Sequence, residues 1–436
     1  MSTAPENEVA AESLARAKPP FLRRVRIRGY KSIAFCDVTL EPLTILVGRN
    51  ASGKSNFLDA LAFLGNLMDM RAPEAVNERN GWRSIHCRNG STPFIEMGIS
   101  ATYSSNKLTW DAEYSFALEI NAQDQIRVQQ EHLKLTPRYQ LRECGFNYAD
   151  GKFEWFGLLP LEESPASVNK TPNPEFFIRP QSDRLFLSVI GTQPFADLAE
   201  RLQTSCVYSF NPSAIRVPQL ITTGNPYLAR DGVNLASAIK WLSHLEPKTF
   251  ERIIRYLIAI VPSVKAFHIR ELGDYETVHF TLESMRGEGL LEFDSSGMSD
   301  GTLRILAALV GAFQIVLKCQ YPGFIGIEEP ETSLHPAAMR ALVDALDEAT
   351  LRTQILLTTH SADMLDNPTI RPENIRVVQM IDGQTVIAPV DAASVEIVRQ
   401  KLDTLGGLER QNQLEPDPED RERQRLLSQN DSEPHQ

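Results

Sequence analysis

The chain has 436 residues, 42% hydrophobic and 23% charged, with a formal net charge of −12. That length allows a large buried core and about three domain-sized units, and the acidic balance argues against a surface coated by nucleic acid while leaving room for a local basic patch. Five scattered cysteines (Cys36, Cys87, Cys144, Cys206, Cys319) show no C-x-x-C or metal-ligand spacing, no uncharged apolar run approaches the ~20 residues of a membrane span, and the start has no secretory apolar region, so a reduced cytoplasmic protein is expected.

Residues 1–20 end in Pro19-Pro20 and read as a disordered leader. From Phe21 to Arg28, Val25 and Ile27 alternate with Arg24, Arg26 and Arg28, which predicts a half-buried strand with a solvated arginine face. Thr44–Val47 is a short buried strand feeding Gly48-Arg49-Asn50-Ala51-Ser52-Gly53-Lys54-Ser55, and Ser55–Met70 carries Phe57, Leu58, Leu61, Leu64 and Leu67 at helical spacing. Strand, glycine loop and helix is the context that a G-x-x-x-x-G-K-[ST] phosphate loop requires. Alternating runs at Phe94–Tyr103, Lys107–Ile120, Ile126–Leu135 and Phe146–Phe156 predict an antiparallel meander with turns at Asn121 and Asp150-Gly151. A Pro-rich connector at 160–180 follows, then helices over Asp183–Leu202 and Leu235–Ile260 and strands over Ala266–Leu272, Thr277–Glu283 and Gly289–Phe293.

After Ser299 a helix carries Leu303, Ile305, Leu306, Leu309, Phe313 and Val316. Next come a strand ending at Glu328, a helix over Pro336–Thr350, a strand over Gln354–Thr358, a short helix from Ser361, and strands over Ile375–Met380 and Thr385–Pro389. The polar stretch from Glu409, with Pro416 and Pro418, reads as a disordered tail. The expected division is a leader at 1–20, one domain at 21–408 and a tail at 409–436. Within the domain, 21–76 and 294–408 form the nucleotide-binding core and 77–293 an antiparallel and helical insertion.

The glycines of the loop let backbone N–H groups curl around phosphate oxygens, and the helix start adds its positive dipole end. Lys54 brings a point charge to the β- and γ-phosphates, and the Ser55 hydroxyl suits Mg²⁺. Ile325–Glu329 is an apolar strand ending in two carboxylates, and neighbouring strand residues point to opposite sides. Glu328 is therefore read as the Mg²⁺ carboxylate and Glu329 as the group that polarises the attacking water. His360, at the end of another apolar strand, is placed to touch the γ-phosphate. Ser299-Asp300-Gly301-Thr302 opens a strong helix whose first N–H groups can bind phosphate. These elements, in this order, imply binding and hydrolysis of a nucleoside triphosphate.

Together they resemble the ABC-type ATPase heads of the RecF/SMC/OLD group, and in particular the compact bacterial RecF-type ATPases carrying an AAA label. The likeness rests on Ile27-Arg28-Gly29-Tyr30-Lys31-Ser32-Ile33, the phosphate loop, Met298-Ser299-Asp300-Gly301-Thr302, the run from Ile327-Glu328-Glu329 to His335-Pro336, and Thr359-His360-Ser361. It implies an α/β P-loop NTPase of ABC-ATPase head type: a mixed, mainly parallel core sheet flanked by helices, with an antiparallel β-meander and a helical insertion. It implies ATP and Mg²⁺ as ligands, with Gly48, Arg49, Asn50, Ala51, Ser52, Gly53, Lys54, Ser55 and Asn56 at the nucleotide and Lys31 and Ser32 close by. It also implies a head-to-tail homodimer in which Ser299 and Gly301 of one chain cap the ATP held by the other.

Departures from the group pattern are Met298-Ser299-Asp300-Gly301-Thr302 for the usual Leu-Ser-Gly-Gly-Gln, Glu328 for the commoner Asp, and His335 at the position that is often Asp. Gln181 and Gln193 both compete for the Q-loop role.

The resulting expectation is an ATP-driven dimer switch in DNA repair, DNA maintenance or phage defence, with DNA or a separate effector protein as partner. Arg24, Arg26, Arg28, Arg83 and Arg88 are the local basic residues for DNA. The alternative is the ATPase regulatory subunit of a toxin or nuclease partner system. A transporter ATPase is disfavoured by the more than two hundred residues between phosphate loop and signature. An OLD-type nuclease is disfavoured because the chain after His360 is short and Asp344 and Asp347 fall in a helical pattern.

Overall fold

Alternation of small apolar and polar residues builds the first sheet. In the computed structural model β1 (Leu22–Tyr30) and β2 (Ile33–Thr39) form a hairpin, and β3 (Leu43–Val47) leaves it for a second sheet. β4 (Phe94–Ser105), β5 (Leu108–Ile120), β6 (Ile126–Pro137), β7 (Cys144–Ala149) and β8 (Lys152–Gly157) then complete seven antiparallel strands in the order β2-β1-β4-β5-β6-β7-β8. The structure describes residues 21–88, 90, 92–138, 143–157, 180–221, 227–284, 289–314 and 322–429. The expected leader, the connector before Pro180, Val316 of the helix after Ser299 and Cys319 lie outside them.

β9 (Cys206–Tyr208) joins the second sheet. β10 (Gln219–Leu220), β11 (Val264–Leu272), β12 (Tyr275–Glu283) and β13 (Leu290–Asp294) make a small antiparallel third sheet. β14 (Phe324–Glu328), β15 (Gln354–Thr359), β16 (Ile375–Ile381) and β17 (Gln384–Pro389) complete the second, in the order β17-β16-β3-β15-β14-β9. Five of its strands are parallel and β17 is antiparallel at the edge.

The apolar runs of this sheet are uninterrupted because both faces are covered. Leu46, Phe324, Leu356, Val378 and Ile387 point into a core shared with the antiparallel sheet and the helix Lys54–Asp69. Ile45, Val47, Ile325, Ile327, Ile355, Leu357 and Val377 point the other way. There they meet the helices Leu235–Leu245, Pro247–Ile260, Asp300–Phe313 and Pro336–Ala349. The Gln354 side chain fastens the two large sheets: it accepts from Leu22 N at 2.9 Å and donates to Leu22 O at 2.8 Å and Glu41 O at 3.0 Å.

Several elements differ from expectation. Leu22–Tyr30 and Ile33–Thr39, expected with the nucleotide-binding core, lie in the antiparallel sheet, whereas Cys206–Tyr208, expected in the insertion, is a strand of the parallel one. The arginine strand β1 is internal, not an edge. Arg24 pairs with Asp37 (Nε–Oδ1 2.5 Å), and Arg28 is buried over the Phe35 ring. The helix expected over Asp183–Leu202 is confined to Phe195–Gln203, because Pro194 cannot continue a helix from its N-terminal side. The helix expected over Leu235–Ile260 breaks at Pro247 for the same reason.

The tail from Glu409 is a correction. It contains the end of the helix Leu405–Arg410 and the helix Pro418–Gln429, which packs on β2 and β17. Its order rests on polar contacts that composition does not reveal: buried Gln424 donates to Ile387 O at 2.7 Å, and Arg49 donates to Asn412 at 2.9 Å.

Candidate nucleotide site

Three adjacent parallel strands set up the site. Val47 on β3 is in register with Thr359 on β15, and Thr358 on β15 with Glu328 on β14. The phosphate loop, His360 and Glu329 each begin just past these positions, so all three emerge at the C-terminal edge of one sheet. That edge is where open α/β sheets bind ligands.

The loop turns through Ala51 (φ 63°) and Gly53 (φ 105°) into the helix Lys54–Asp69. At Gly53 a Cβ would fall 2.0 Å from the Thr385 hydroxyl of β17, so a side chain is sterically excluded as well as conformationally disfavoured. No side chain caps the helix start, which leaves its first N–H groups for a ligand. Lys54 Nζ donates to Gly48 O at 2.6 Å and Arg49 O at 3.0 Å, which folds the ammonium over the loop. Burial lowers its pKa, and the carboxylates of Glu329, Glu409 and Glu331 oppose that shift. Lys54 and the glutamates beyond β14 therefore share one electrostatic site.

Glu328 and Glu329 face different surroundings. Burial raises the pKa of Glu328, against Arg230 and a hydrogen bond with Ser209. Glu329 holds a left-handed φ of 43°, uncommon for a residue with a side chain and a mark of functional sites. Its N–H reaches both Thr358 O and Thr358 Oγ1 at 3.1 Å, and its Oε1 lies 3.5 Å from His360 Nδ1. Glu331 is buried, accepts from Thr359 Oγ1 at 2.5 Å, and has no partner for its other oxygen among the described residues. Burial raises its pKa too.

Ser32 joins β17 and the helix start: its Oγ lies 2.7 Å from Thr385 Oγ1 and accepts from Asn56 at 2.6 Å, while Thr385 donates to Ser52 O at 3.0 Å. Lys31 is tied to Asp59 at 2.5 Å. Asp59, buried one turn into the helix, also accepts from Tyr30 at 2.7 Å and pairs with Arg79 at 3.3 Å and Arg230 at 3.6 Å. Arg83 and Arg88 line a pocket with Lys31, Ser32 and Asn56, at the margin of this site.

Ser299 caps the helix Asp300–Phe313 by accepting from Thr302 N at 3.2 Å, and a Cβ on Gly301 would fall 2.6 Å from Ser333 O. Among the described residues, no hydrogen bond of Ser299 reaches the phosphate loop. Sequence reasoning overlooked Asp59, Glu331, Thr385 and Glu409. An acid inside the apolar run Phe57-Leu58-Asp59-Ala60-Leu61 was the visible signal for the first, and Glu331 stands within the Glu328–Pro336 motif. Nothing in the sequence marks the other two.

The donor set fits Mg²⁺, a hard cation that takes one or two carboxylates and completes its shell with phosphates and water. Ser55 is exposed in the helix's first turn and Glu328 half-buried at the strand end, while the described residues hold no group of three or more His, Cys, Asp or Glu that would cage a metal.

Comparisons with known proteins give the same picture. Residues 21–142 match the family described as "AAA ATPase domain", and residues 229–366 the family described as "AAA domain, putative AbiEii toxin, Type IV TA system". The chain is 30% identical over 89 residues to the DNA replication and repair protein RecF of Arthrobacter sp. and 32% identical over 88 residues to that of Pseudarthrobacter chlorophenolicus. Each match covers 19% of this chain and 22% of the relative, so the chain spans about a fifth of the length of the curated relatives it matches. Among solved structures, the SMC head domain from Thermotoga maritima is similar at 12% identity and a TM-score of 0.42, covering 85% of this chain and all (100%) of that one. An Smc head bound to the C-winged helix domain of ScpA reaches a TM-score of 0.47 at 14% identity, with coverage of 86% and 99%. The family matches carry the phosphate loop in one segment and the twin glutamates in the other.

Proposed function

We propose that this chain is a RecF/SMC-type ABC ATPase that binds ATP with Mg²⁺, hydrolyses it, and uses the nucleotide state to close and reopen a head-to-tail dimer. The carrying observation is the convergence of Lys54, Glu329 and His360 at one sheet edge. Lys54 and the first N–H groups of its helix bind the phosphates, with Gly48, Arg49, Asn50, Ala51, Ser52, Gly53 and Asn56 forming the cradle and Lys31 and Ser32 at its border. Ser55 and Glu328 hold Mg²⁺, which supplies charge neutralisation of the phosphates. Glu329 orients and deprotonates the attacking water, and its proximity to His360 lets the imidazole contact the γ-phosphate. Ser299 and Gly301 cap the nucleotide bound to the partner protomer.

Two variants test this. Lys54→Ala should abolish ATP binding. Glu329→Gln should retain binding, slow hydrolysis by about 10²-fold or more, and accumulate dimer with ATP on a sizing column. Wild-type turnover in either variant overturns the corresponding assignment.

For the biological setting, the RecF relatives favour DNA repair or maintenance in the cytoplasm, with DNA as partner. Of the five basic residues, Arg24 and Arg28 are engaged within the chain, which leaves Arg26, Arg83 and Arg88 for such a contact. ATPase rates with and without single- and double-stranded DNA at two salt concentrations separate DNA stimulation from none. The description of the second matching family names a toxin and a TA system, which is in line with the alternative reading of the chain as the ATPase regulatory subunit of a toxin or nuclease partner system.

A further inference from the structure

The segment after β17 returns to the phosphate loop. Its helix Leu405–Arg410 packs on the short helix Ala362–Leu365 that follows His360: Arg410 bonds Asp363 and Asp366, each at 2.6 Å, and a Cβ on Gly406 would fall 2.2 Å from Ala362 O. Two residues past this helix, Asn412 accepts from Arg49 of the phosphate loop at 2.9 Å. The segment is fixed downstream as well, because Gln379 of β16 donates to Glu415 at 2.8 Å and Asp417 N donates to Pro389 O at 2.9 Å. Residues 405–412 thus run from the His360 side to the loop side, and Glu409 and Asn412 line a cavity between Gly48, Arg49, Asn50 and Ser52 of the loop and residues 377–380 of β16.

Leu405 and Leu408 bury the apolar side of this span, and Glu409 lines the cavity beside Gly48 and Arg49. Glu409 is half-buried, and the charges of Lys54, Arg49 and His360 all act on it. Lys54 and His360 are the side chains assigned above to the terminal phosphate, and Arg49 is the loop arginine. A carboxylate among them is attracted to the same charges as a triphosphate and is repelled by the triphosphate itself.

We propose that residues 405–412 form a strap across the nucleotide site, and that Glu409 competes with the terminal phosphate for Lys54, Arg49 and the His360 imidazole. The inference rests on the nucleotide-site reading. The strap holds the site in a state of lowered ATP affinity, and any partner that pulls on the C-terminal segment raises that affinity. The effect falls more on the triphosphate than on the diphosphate, because His360 and Lys54 mark the terminal-phosphate end.

The test uses the full chain with Mg²⁺, the fluorescent imido analogue of ATP, and fluorescent ADP. Glu409→Gln should bind the triphosphate analogue about 5-fold more tightly, ADP with a smaller change, and retain hydrolysis. Arg410→Ala, which frees the strap from the helix after His360 and leaves the carboxylate in place, should move affinity in the same direction. Melting without nucleotide checks that both variants are folded. Unchanged or weaker binding by folded Glu409→Gln overturns the proposal. So does tight binding with hydrolysis lost, since Glu409 would then be a proton acceptor rather than a competitor. A wild-type chain that binds neither probe overturns the nucleotide-site reading, and the strap with it; wild-type binding without a gain in the variants overturns the strap alone.

Discussion

Glu131 is buried on β6 with three donors around it: Phe186 N at 2.6 Å, Leu187 N at 2.9 Å and the Tyr114 hydroxyl at 2.9 Å. Burial pushes its pKa up to about 7 in spite of these hydrogen bonds. An acid whose pKa is higher folded than unfolded binds extra protons in the native state, so stability falls as pH rises from the ordinary carboxyl range to about 7 and is level above that. The decline across that window is about 3 kcal/mol. Urea titrations between pH 5 and pH 8 should show it, and Glu131→Gln should flatten the slope. Because the amide has one acceptor oxygen, one N–H of the Phe186–Leu187 turn loses its partner, and the variant should be the less stable at pH 5. A slope unchanged in Glu131→Gln would assign the pH dependence to other groups. At the nucleotide site the chemistry-bearing residues were legible singly, because the loop and the twin glutamates have spacings that few other structures need. Their supports were not: Thr385 meets Ser32 from 353 positions away, and nothing local announces such a pair.

Among the strands and helices, legibility followed burial. β3, β14 and β15 are covered on both faces and read as plain apolar runs; the helix Lys54–Asp69 reads by its period. The misreadings at 183–202 and 235–260 came from extending an apolar period through Pro194 and Pro247, where the backbone must stop. The C-terminal helix was missed for the opposite reason. Its anchor is Gln424, a polar residue whose burial no hydropathy pattern predicts. Gln354 is another such anchor, and it makes a sharp prediction because its amide satisfies both the N–H and the C=O of Leu22. Gln354→Leu keeps the volume and strands both groups in a dry seam between the sheets. The expected loss is about 3 kcal/mol in equilibrium unfolding. If the seam admits water, the loss will be under about 1 kcal/mol, and the two large sheets are then held by apolar packing and by the other polar ties, such as Arg376 to Thr39.

How two chains cooperate is the remaining step, and it turns on where the signature helix points. Within one chain, Ser299 is occupied with Thr302, and Gly301 lies against Ser333, a few residues beyond Glu329. The turn from Glu329 to Leu334 therefore touches the proposed catalytic base at one end and the signature at the other. A second chain that presses on the signature would press on that turn. This gives the proposed dimer a physical route for sensing nucleotide, and it makes the sites shared. A Lys54→Ala chain lacks a working loop but keeps its signature; a Ser299→Arg chain keeps its loop and loses the cap. Each is expected to be inactive alone. When they are mixed in equal amounts, half the dimers are mixed, and one of the two sites in each pairs an intact loop with an intact signature. Recovered turnover should then be about a quarter of wild type for a freely exchanging two-fold assembly, and it should rise with total protein as dimers form. Activity that stays at the level of the separate variants, in a mixture shown by sizing to contain heterodimer, would mean that each chain completes its own site.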